Sequence, residues 1–572
     1  MFRPETAAGQ VPASGRPLYL SITGLDNALE ASQLIRLFHE GELILLPVQS
    51  TDTQSTDTWS AVAQTTNTQT TDTQSTDTWS AVAQTTDTQT TDTWPNDTLT
   101  TFPTGENDLT PHAWHVRLEA REEGGWFRTR TIVCRDGIHA GLGELGFETG
   151  GKPAATDMFL QSRKLCAGTA LYGALEQAFG LSLPWGSLTG VRPVKLASCC
   201  MDAGMGEEEA LRTLQSRTGM QADKARLIWE VAGRERPFLS PPERSVSLYV
   251  GIPFCASRCL YCSFTSYPVA RHGSLIPEYL AAMGKEIRFV GSWLRLTGTR
   301  LSSVYIGGGT PTALPLEHLG PLLDLMAACL PMETSLEYTV EAGRPDTVDP
   351  AKLQRIKSAG VTRISINPQS MQGETLRRIG RGHSPEDVEE AFAMARSAGF
   401  DNINADLIAG LSGETEEDFR NTLERMAPLR PDSLTVHTLA VKRASRLHET
   451  MVAGTAAIAS TDAQVQEMIA DASVFARQHG LLPYYLYRQK NILANLENTG
   501  YARPGCECRY NVETMSERQT VIAVGSGGIT KVSFGGGQLE RTFNVRELGN
   551  YIGRIDEMIA RKEELLARRY RT

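Results

Sequence analysis

Between residues 245 and 440 short apolar runs alternate with longer stretches in which apolar positions recur every three or four residues. Six runs, at 246–251, 303–306, 336–342, 362–366, 402–408 and 433–438, read as strands because they are short and bounded by turn residues. The stretches between them read as amphipathic helices. In one, Leu280, Met283, Ile287, Val290 and Leu294 fall on a single core-facing stripe. Regular alternation of this kind predicts an α/β fold with a parallel sheet curled into a partial, TIM-like (β/α)6 barrel. In such barrels the chemistry collects at the carboxyl ends of the strands.

The flanking segments follow other patterns. Residues 1–150 read as an N-terminal α+β domain, with strand-like runs at 18–22 and 131–134 and a helical stretch near 26–38. A Thr-rich insert at about 49–104 interrupts it; residues 51–70 repeat as 71–90 with Asn67 against Asp87 as the one difference. No Lys or Arg lies between Arg36 and Arg117, and so polar a repeat offers too little apolar surface to offset the entropy of ordering, so disorder is expected there. Residues 151–240 turn helical, with Ala167, Leu171, Leu175 and Ala178 at helix spacing, and read as a connector. Residues 241–440 form the barrel. A smaller C-terminal α+β domain, 441–572, is expected from helices near 461–479 and 545–568 and strands at 481–487 and 519–524.

At 572 residues the chain exceeds what one ordinary core supports. A net charge of −10 gives no reason to expect a nucleic-acid partner. The opening residues lack the apolar centre of a signal peptide, and no apolar run approaches the ~20 residues needed to span a bilayer, so a cytoplasmic protein without a membrane partner is expected. In that setting ten cysteines favour reduced thiols and a metal site over disulfides.

Three of those cysteines, Cys255, Cys259 and Cys262, form a CxxxCxxC triplet directly after the first barrel strand. Cubane clusters normally take four cysteine ligands. A compact triplet therefore leaves one iron for a small molecule to complete. The second strand ends in Gly307-Gly308-Gly309-Thr310-Pro311, where missing side chains let the backbone approach a ligand. Glu341 closes the third strand, Gln369 follows the fourth, and Asp406 lies in the fifth, so each offers polar atoms near the same mouth. Cys506 and Cys508, with Cys199 and Cys200, are candidates for a second metal or are incidental thiols. His383 and His437 suit proton transfer, haem ligation or a hydrogen-bond network; Lys442, Arg443 and Arg446 suit carboxylate binding or solvent.

With these residues in hand, the chain resembles the radical S-adenosylmethionine (SAM) superfamily, and within it the oxygen-independent coproporphyrinogen III oxidase family, closest to its coproporphyrinogen dehydrogenase branch. The segments that carry the likeness are YVGIPFCASRCLYCSF (249–264), VYIGGGTPT (304–312), EYTVEAGRPD (337–346), RISINPQSM (363–371), IGRGH (379–383) and NADLIAGLSGET (404–415). Further segments at 183–196, 485–501 and 510–531 extend it over about residue 150 to the end. The resemblance implies a [4Fe–4S] cluster on Cys255, Cys259 and Cys262 with SAM on the open iron. It implies SAM contacts from Gly308, Gly309, Thr310, Glu341, Gln369, Arg381 and Asp406, with Tyr249 packed beside the cluster. The implied partners are a tetrapyrrole substrate and an electron donor such as flavodoxin or ferredoxin; the implied reaction converts two propionates of coproporphyrinogen III to vinyl groups. Two positions depart from the pattern: Phe264 replaces a further cysteine and Gly251 a histidine. The phenylalanine is shared with a related branch that binds and delivers haem, which makes a haem chaperone the alternative, beside a radical SAM enzyme acting on another substrate.

Overall fold

In a computed structural model the chain divides into two units, Met1–Thr189 with Gln215–Met220, and Gly190–Leu214 with Gln221–Thr572. The structure describes residues 18–23, 31, 34–35, 43–45, 114–123, 126–135, 138–148, 162–190, 192–240, 244–454, 460–489 and 492–570. The Thr-rich insert and most of the helical stretch expected at 26–38 lie outside the described residues.

The first unit holds a five-stranded sheet of order β2-β1-β3-β4-β5, made of β1 (Leu18–Thr23), β2 (Leu43–Leu45), β3 (Trp114–Glu123), β4 (Trp126–Arg135) and β5 (Ile138–Glu148). Strands from both sides of the insert share this sheet, with β1 parallel to β2 and to β3. Helix Arg163–Phe179 buries Ala167, Leu171, Tyr172, Ala174 and Leu175 in one core with Leu18, Leu20, Val116 and Val133. Ser162 caps its first turn, accepting from Leu165 N–H.

The second unit is built on an eleven-stranded sheet. Its centre is β6 (Ser245–Ile252), β9 (Arg300–Gly308), β10 (Glu337–Glu341), β11 (Arg363–Ser365), β12 (Ile403–Ala409) and β13 (Ser433–Thr438), adjacent in that order and all parallel. All six expected strands are present. These strands are buried along almost their whole length rather than on alternate residues, because helices cover the outer face while the inner face lines the barrel. On the first crossover helix, Ile276–Thr297, Met283, Ile287, Val290 and Leu294 are at most 1% exposed.

The chain beyond residue 440 differs from the sequence expectation. It extends the barrel sheet at both edges instead of standing apart. At one end β15 (Asn498–Ala502) pairs antiparallel with β13 and carries β14 (Leu482–Tyr487). At the other, β16 (Val521–Val524) runs parallel to β6, with Ile522 opposite Leu248, and leads to β17 (Ile529–Gly535) and β18 (Gln538–Phe543). The open edges of a partial barrel carry unpaired backbone groups, and the fully buried run Val521–Val524 supplies partners for one of them. The boundary between the two units also falls at Thr189/Gly190, within the stretch read as a connector.

An ion pair with almost no solvent exposure ties the C-terminal helix to the barrel. Lys562, on helix Ile555–Arg569, meets Glu286 on Ile276–Thr297, their side chains 1% and 0% exposed. Glu286 also accepts from Gly525 N–H and Asn544 Nδ2, each at 2.8 Å, and from Tyr551 Oη at 2.6 Å. Two turns earlier on the same helix, the Tyr279 hydroxyl donates to Gly251 O at 2.5 Å, bracing the strand that delivers the cysteine triplet. Among the described residues no helix is long and apolar enough to cross a membrane.

Candidate active site at the barrel mouth

β6 ends at Ile252 and the chain turns through Pro253 into the two-residue strand β7 (Phe254–Cys255), which pairs with β8 (Tyr267–Pro268). The glycine strap after β9 lies on this turn. Gly309 N–H donates to Ile252 O and Thr310 N–H to Phe254 O, both at 2.7 Å. A Cβ on Gly309 would stand 2.5 Å from Phe254 O and 2.9 Å from Cys255 Sγ, and Gly308 adopts φ +109°, so neither position accepts an ordinary side chain without a shift.

The three sulfurs occupy one loop in different surroundings. Thr310 Oγ1 donates to Cys255 Sγ at 3.6 Å. Arg344, 3% exposed, reaches Cys259 Sγ at 3.8 Å with Nη1 and Ser257 Oγ at 3.0 Å, while its other nitrogens grip Asp346 at 2.8–2.9 Å. Burial pushes the Cys255 thiol up to about 11, the nearby Cys262 and Cys259 adding to the rise against the Thr310 hydrogen bond. Burial raises Cys262 as well, against the Phe264 N–H and the charges of Arg258 and Arg381. A bound metal reverses this logic, since it favours the thiolate. Among the described residues no three His, Cys, Asp or Glu side chains converge tightly enough for a single ion. A [4Fe–4S] cluster takes thiolate ligands, and three cysteines carried on one short loop, with Arg344 at Cys259 Sγ to offset negative charge, are a donor set of that chemistry.

Of the predicted polar residues, Glu341 stands beside the strap. Glu341 packs against Gly307, where a Cβ would fall 2.9 Å from its Cδ. The Tyr305 hydroxyl donates to Glu341 Oε1 at 2.6 Å. Burial pushes the Glu341 carboxyl up to about 7, opposed by the Tyr305 hydrogen bond and reinforced by the charge of Asp406. Asp406 behaves oppositely. Burial would raise its carboxyl, but the hydrogen bond and charge of His437, helped by Asn404 Nδ2 at 2.7 Å, hold it below the usual carboxylate range. His437 Nε2 lies 3.7 Å from Asp406 Oδ2, and its Nδ1 meets Tyr487 Oη at 3.2 Å.

Gln369 is a non-glycine residue at φ +70°, locked between Asp406 O and Ile408 N–H by its own backbone, and its buried Oε1 has no partner. Strain joined to an unsatisfied acceptor marks a place where a ligand donor is wanted. Arg381 is also buried, but its Nη1 already serves Gly343 O at 3.2 Å and Asn367 O at 2.5 Å, and its Nη2 serves Tyr261 Oη at 3.4 Å. Only its Nε lacks a partner, so here the side chain ties the loops after β10 and β11 to the cysteine loop. Tyr249 packs under the strap in a stack with Tyr305 at 6.3 Å and Tyr510 at 6.1 Å.

Several functional groups were not singled out in the sequence. Arg344 lies within EYTVEAGRPD, yet nothing local separates an arginine aimed at a sulfur from one aimed at solvent. Tyr305 sits one residue before Ile306 in the predicted strand, and only the barrel's inner face reveals its contact with Glu341. Of the cysteines considered for a second metal, Cys508 donates through Sγ to buried Glu337 at 3.3 Å, and none of the ten cysteines forms a disulfide. His383 is buried, and burial together with Arg381 and Arg344 lowers its imidazole to about 4, so it is neutral near pH 7.

Known proteins resemble this chain in sequence across the barrel. Residues 249–426 match the radical SAM superfamily. The chain is 40% identical over 365 residues to the oxygen-independent coproporphyrinogen-III oxidase-like protein HemZ of Bacillus subtilis (strain 168), spanning 62% of this chain and 72% of that protein. It is 31% identical over 312 residues to the heme chaperone HemW of the same organism, spanning 54% of this chain and 76% of that protein. Among solved structures, coproporphyrinogen III oxidase (HemN) of Escherichia coli, a radical SAM enzyme, aligns with TM-score 0.44 and 24% identity over 57% of this chain and 73% of that chain. The superfamily's cofactors are a [4Fe–4S] cluster and S-adenosylmethionine. The chain belongs to the radical SAM superfamily, in the family of oxygen-independent coproporphyrinogen III oxidase-like proteins.

Proposed function

We propose that this protein is a radical SAM oxidoreductase of haem biosynthesis that converts two propionate side chains of coproporphyrinogen III to vinyl groups without oxygen, giving protoporphyrinogen IX. At each propionate the β-carbon gives one hydrogen atom to the adenosyl group of SAM, the carboxylate leaves as carbon dioxide, one electron passes to an external one-electron acceptor, and the carbon–carbon double bond forms. The observation that carries this proposal is the strap of Gly307 to Thr310 resting on the Cys255 loop beside Glu341, together with the orphaned Gln369 Oε1. It stands in a chain 40% identical to a protein named for coproporphyrinogen oxidation.

Bound at this mouth, S-adenosylmethionine and a reduced [4Fe–4S] cluster supply the hydrogen-abstracting radical chemistry. The chain's own residues bind and orient. Cys255, Cys259 and Cys262 would hold the cluster, with Arg344 offsetting negative charge at Cys259. Gly308, Gly309 and Thr310 would offer backbone groups to the methionine end of SAM, with Glu341 taking its amino group and Gln369 and Asp406 polar groups of the same molecule. Arg381 would keep three loops in register around them. Tyr249, Tyr305 and Tyr510 fill the barrel behind the strap and exclude water from it.

Anaerobic incubation with SAM, reductant and coproporphyrinogen III tests the proposal: vinyl-bearing product is expected, and its absence from cluster-loaded protein that cleaves SAM would overturn it. Phe264 and the likeness to the heme chaperone favour a second reading as a haem carrier. Stable haem binding without turnover would select that reading.

A further inference from the structure

The outer side of the cysteine loop carries a charge pattern opposite to that of the whole chain. The sequence contains 66 Asp and Glu and has a net charge of −10, yet segments 249–277 and 433–448 contain no acidic residue. The structure joins these two segments. Arg258 donates through Nη2 to Ala444 O, and Leu447 N–H donates to Leu260 O at 2.8 Å. Leu260, Tyr261 and Val441 pack on a small core that includes Leu447. Lys442, Arg443 and Arg446, just beyond β13, are thereby fixed against the loop that carries the triplet.

None of Arg258, Lys442, Arg443 and Arg446 has an ion-pair partner among the described residues. Some surface arginines elsewhere are paired, as Arg420 is with Glu417, Glu467 and Asp471, and Arg425 with Glu386 and Glu389, while exposed Arg226, Arg288 and Arg377 also lack an ion-pair partner among the described residues, so it is the grouping of unpaired cations on two joined segments free of acidic residues that sets this place apart. Two residues past Cys262, Phe264 is 68% exposed while its backbone N–H is directed to the Cys262 thiol. The cysteine loop thus carries an exposed aromatic ring and an unpaired arginine, and the segment tied to it adds three more unpaired cations; aromatic and arginine side chains are enriched at interface centres, and cations gathered on an acidic chain steer an acidic partner. Arg443 and Arg446 are exposed to solvent, whereas Gln369 is buried and Glu341 and Asp406 are partly buried.

We propose that Phe264 with Arg258, Lys442, Arg443 and Arg446 forms the docking surface for a small acidic one-electron carrier protein, which reduces the cluster across the Cys262 side of the loop. One electron leaves the reduced carrier and enters the cluster, and no proton or bond changes hands. The proposal rests on the triplet holding a cluster and is independent of which substrate is decarboxylated.

The test uses cluster-loaded full-length protein, recombinant flavodoxin and recombinant [2Fe–2S] ferredoxin as probes, and the methyl viologen radical cation as a small cationic reductant. For the double variant Arg443→Glu/Arg446→Glu at low ionic strength, affinity for whichever carrier binds the parent, and the rate of cluster bleaching by that carrier, should each fall at least about tenfold. Added salt should weaken carrier binding to the parent far more than to this variant. Phe264→Ala should weaken binding several-fold with the salt dependence kept. Bleaching by viologen should stay within about twofold of the parent in both variants. The proposal is overturned if neither carrier binds the parent, if the variants bind and accept electrons as the parent does, or if the viologen rate falls equally. It is also overturned if only affinity for coproporphyrinogen changes. Viologen-driven turnover of coproporphyrinogen reports on the proposed function separately, since it bypasses the carrier.

Discussion

The Tyr305 hydroxyl donates to Glu341 Oε1 at 2.6 Å from the neighbouring strand, on the barrel's inner face, directly behind the glycine strap. This contact lowers a carboxyl that burial pushes up to about 7. The shift has a definite sign. Raised above its ordinary value of 4.5, the carboxyl contributes stability that is fully present below that value and lost as pH rises through about 7. Ligand binding runs the other way, because only the ionised carboxylate attracts an ammonium group. SAM affinity of the cluster-loaded protein should therefore fall about tenfold per pH unit below the Glu341 titration. Tyr305→Phe should move that midpoint to higher pH, and Glu341→Gln should flatten the profile; isothermal titration across pH 5.5–8.5 reads all three, and an unchanged profile in Glu341→Gln counts against the role.

Gly309 tolerates no side chain while Cys255 stays in place, since the added Cβ would sit 2.5 Å from Phe254 O and 2.9 Å from Cys255 Sγ. Displacing the loop backbone should cost about 1–3 kcal/mol locally. Gly309→Ala is expected to keep its global fold by circular dichroism and to lose much of its iron on anaerobic gel filtration. Parental iron content would show that the strap does not shape the cluster loop.

Removing one sulfur should have a larger effect. Cys259→Ala is expected to abolish the brown absorbance of the reconstituted protein and its SAM cleavage together, because two thiolates cannot retain a cubane on this loop. Retained absorbance would remove Cys259 from the ligand set.

Far from the chemistry, the Glu286–Lys562 pair should dominate the response of the C-terminal helix to mutation. With both side chains at most 1% exposed, Lys562→Met leaves a carboxylate buried among Gly525, Asn544 and Tyr551 without its cation. A loss of about 3–5 kcal/mol is expected from denaturant midpoints. Replacing both charges with apolar residues should recover much of it, and a single variant as stable as the parent would show the pair to be dispensable.

Much of this site was legible in the chain because its parts are local. The spacing of Cys255, Cys259 and Cys262 and the run Gly307 to Thr310 are short motifs whose chemistry depends on neighbours in sequence. The six barrel strands were legible because each is a short apolar run followed by a helix with a clear stripe. Phe264 stood out as an unusual residue after the triplet, but its exposure did not.

What the sequence by itself determined is the order of strands and helices, the cluster loop and the glycine strap, since backbone preference, apolar spacing and ligand type act over a few residues. Only the tertiary structure decided that Val521–Val524 pairs with β6, that Tyr305 reaches Glu341, that Arg344 faces Cys259 and that the Lys442–Arg446 loop is tied to the cysteine loop. Each of these joins residues far apart in the chain through a shared sheet edge or barrel face. Their free energy comes from burying surface and pairing polar groups that no single segment can bury or pair alone.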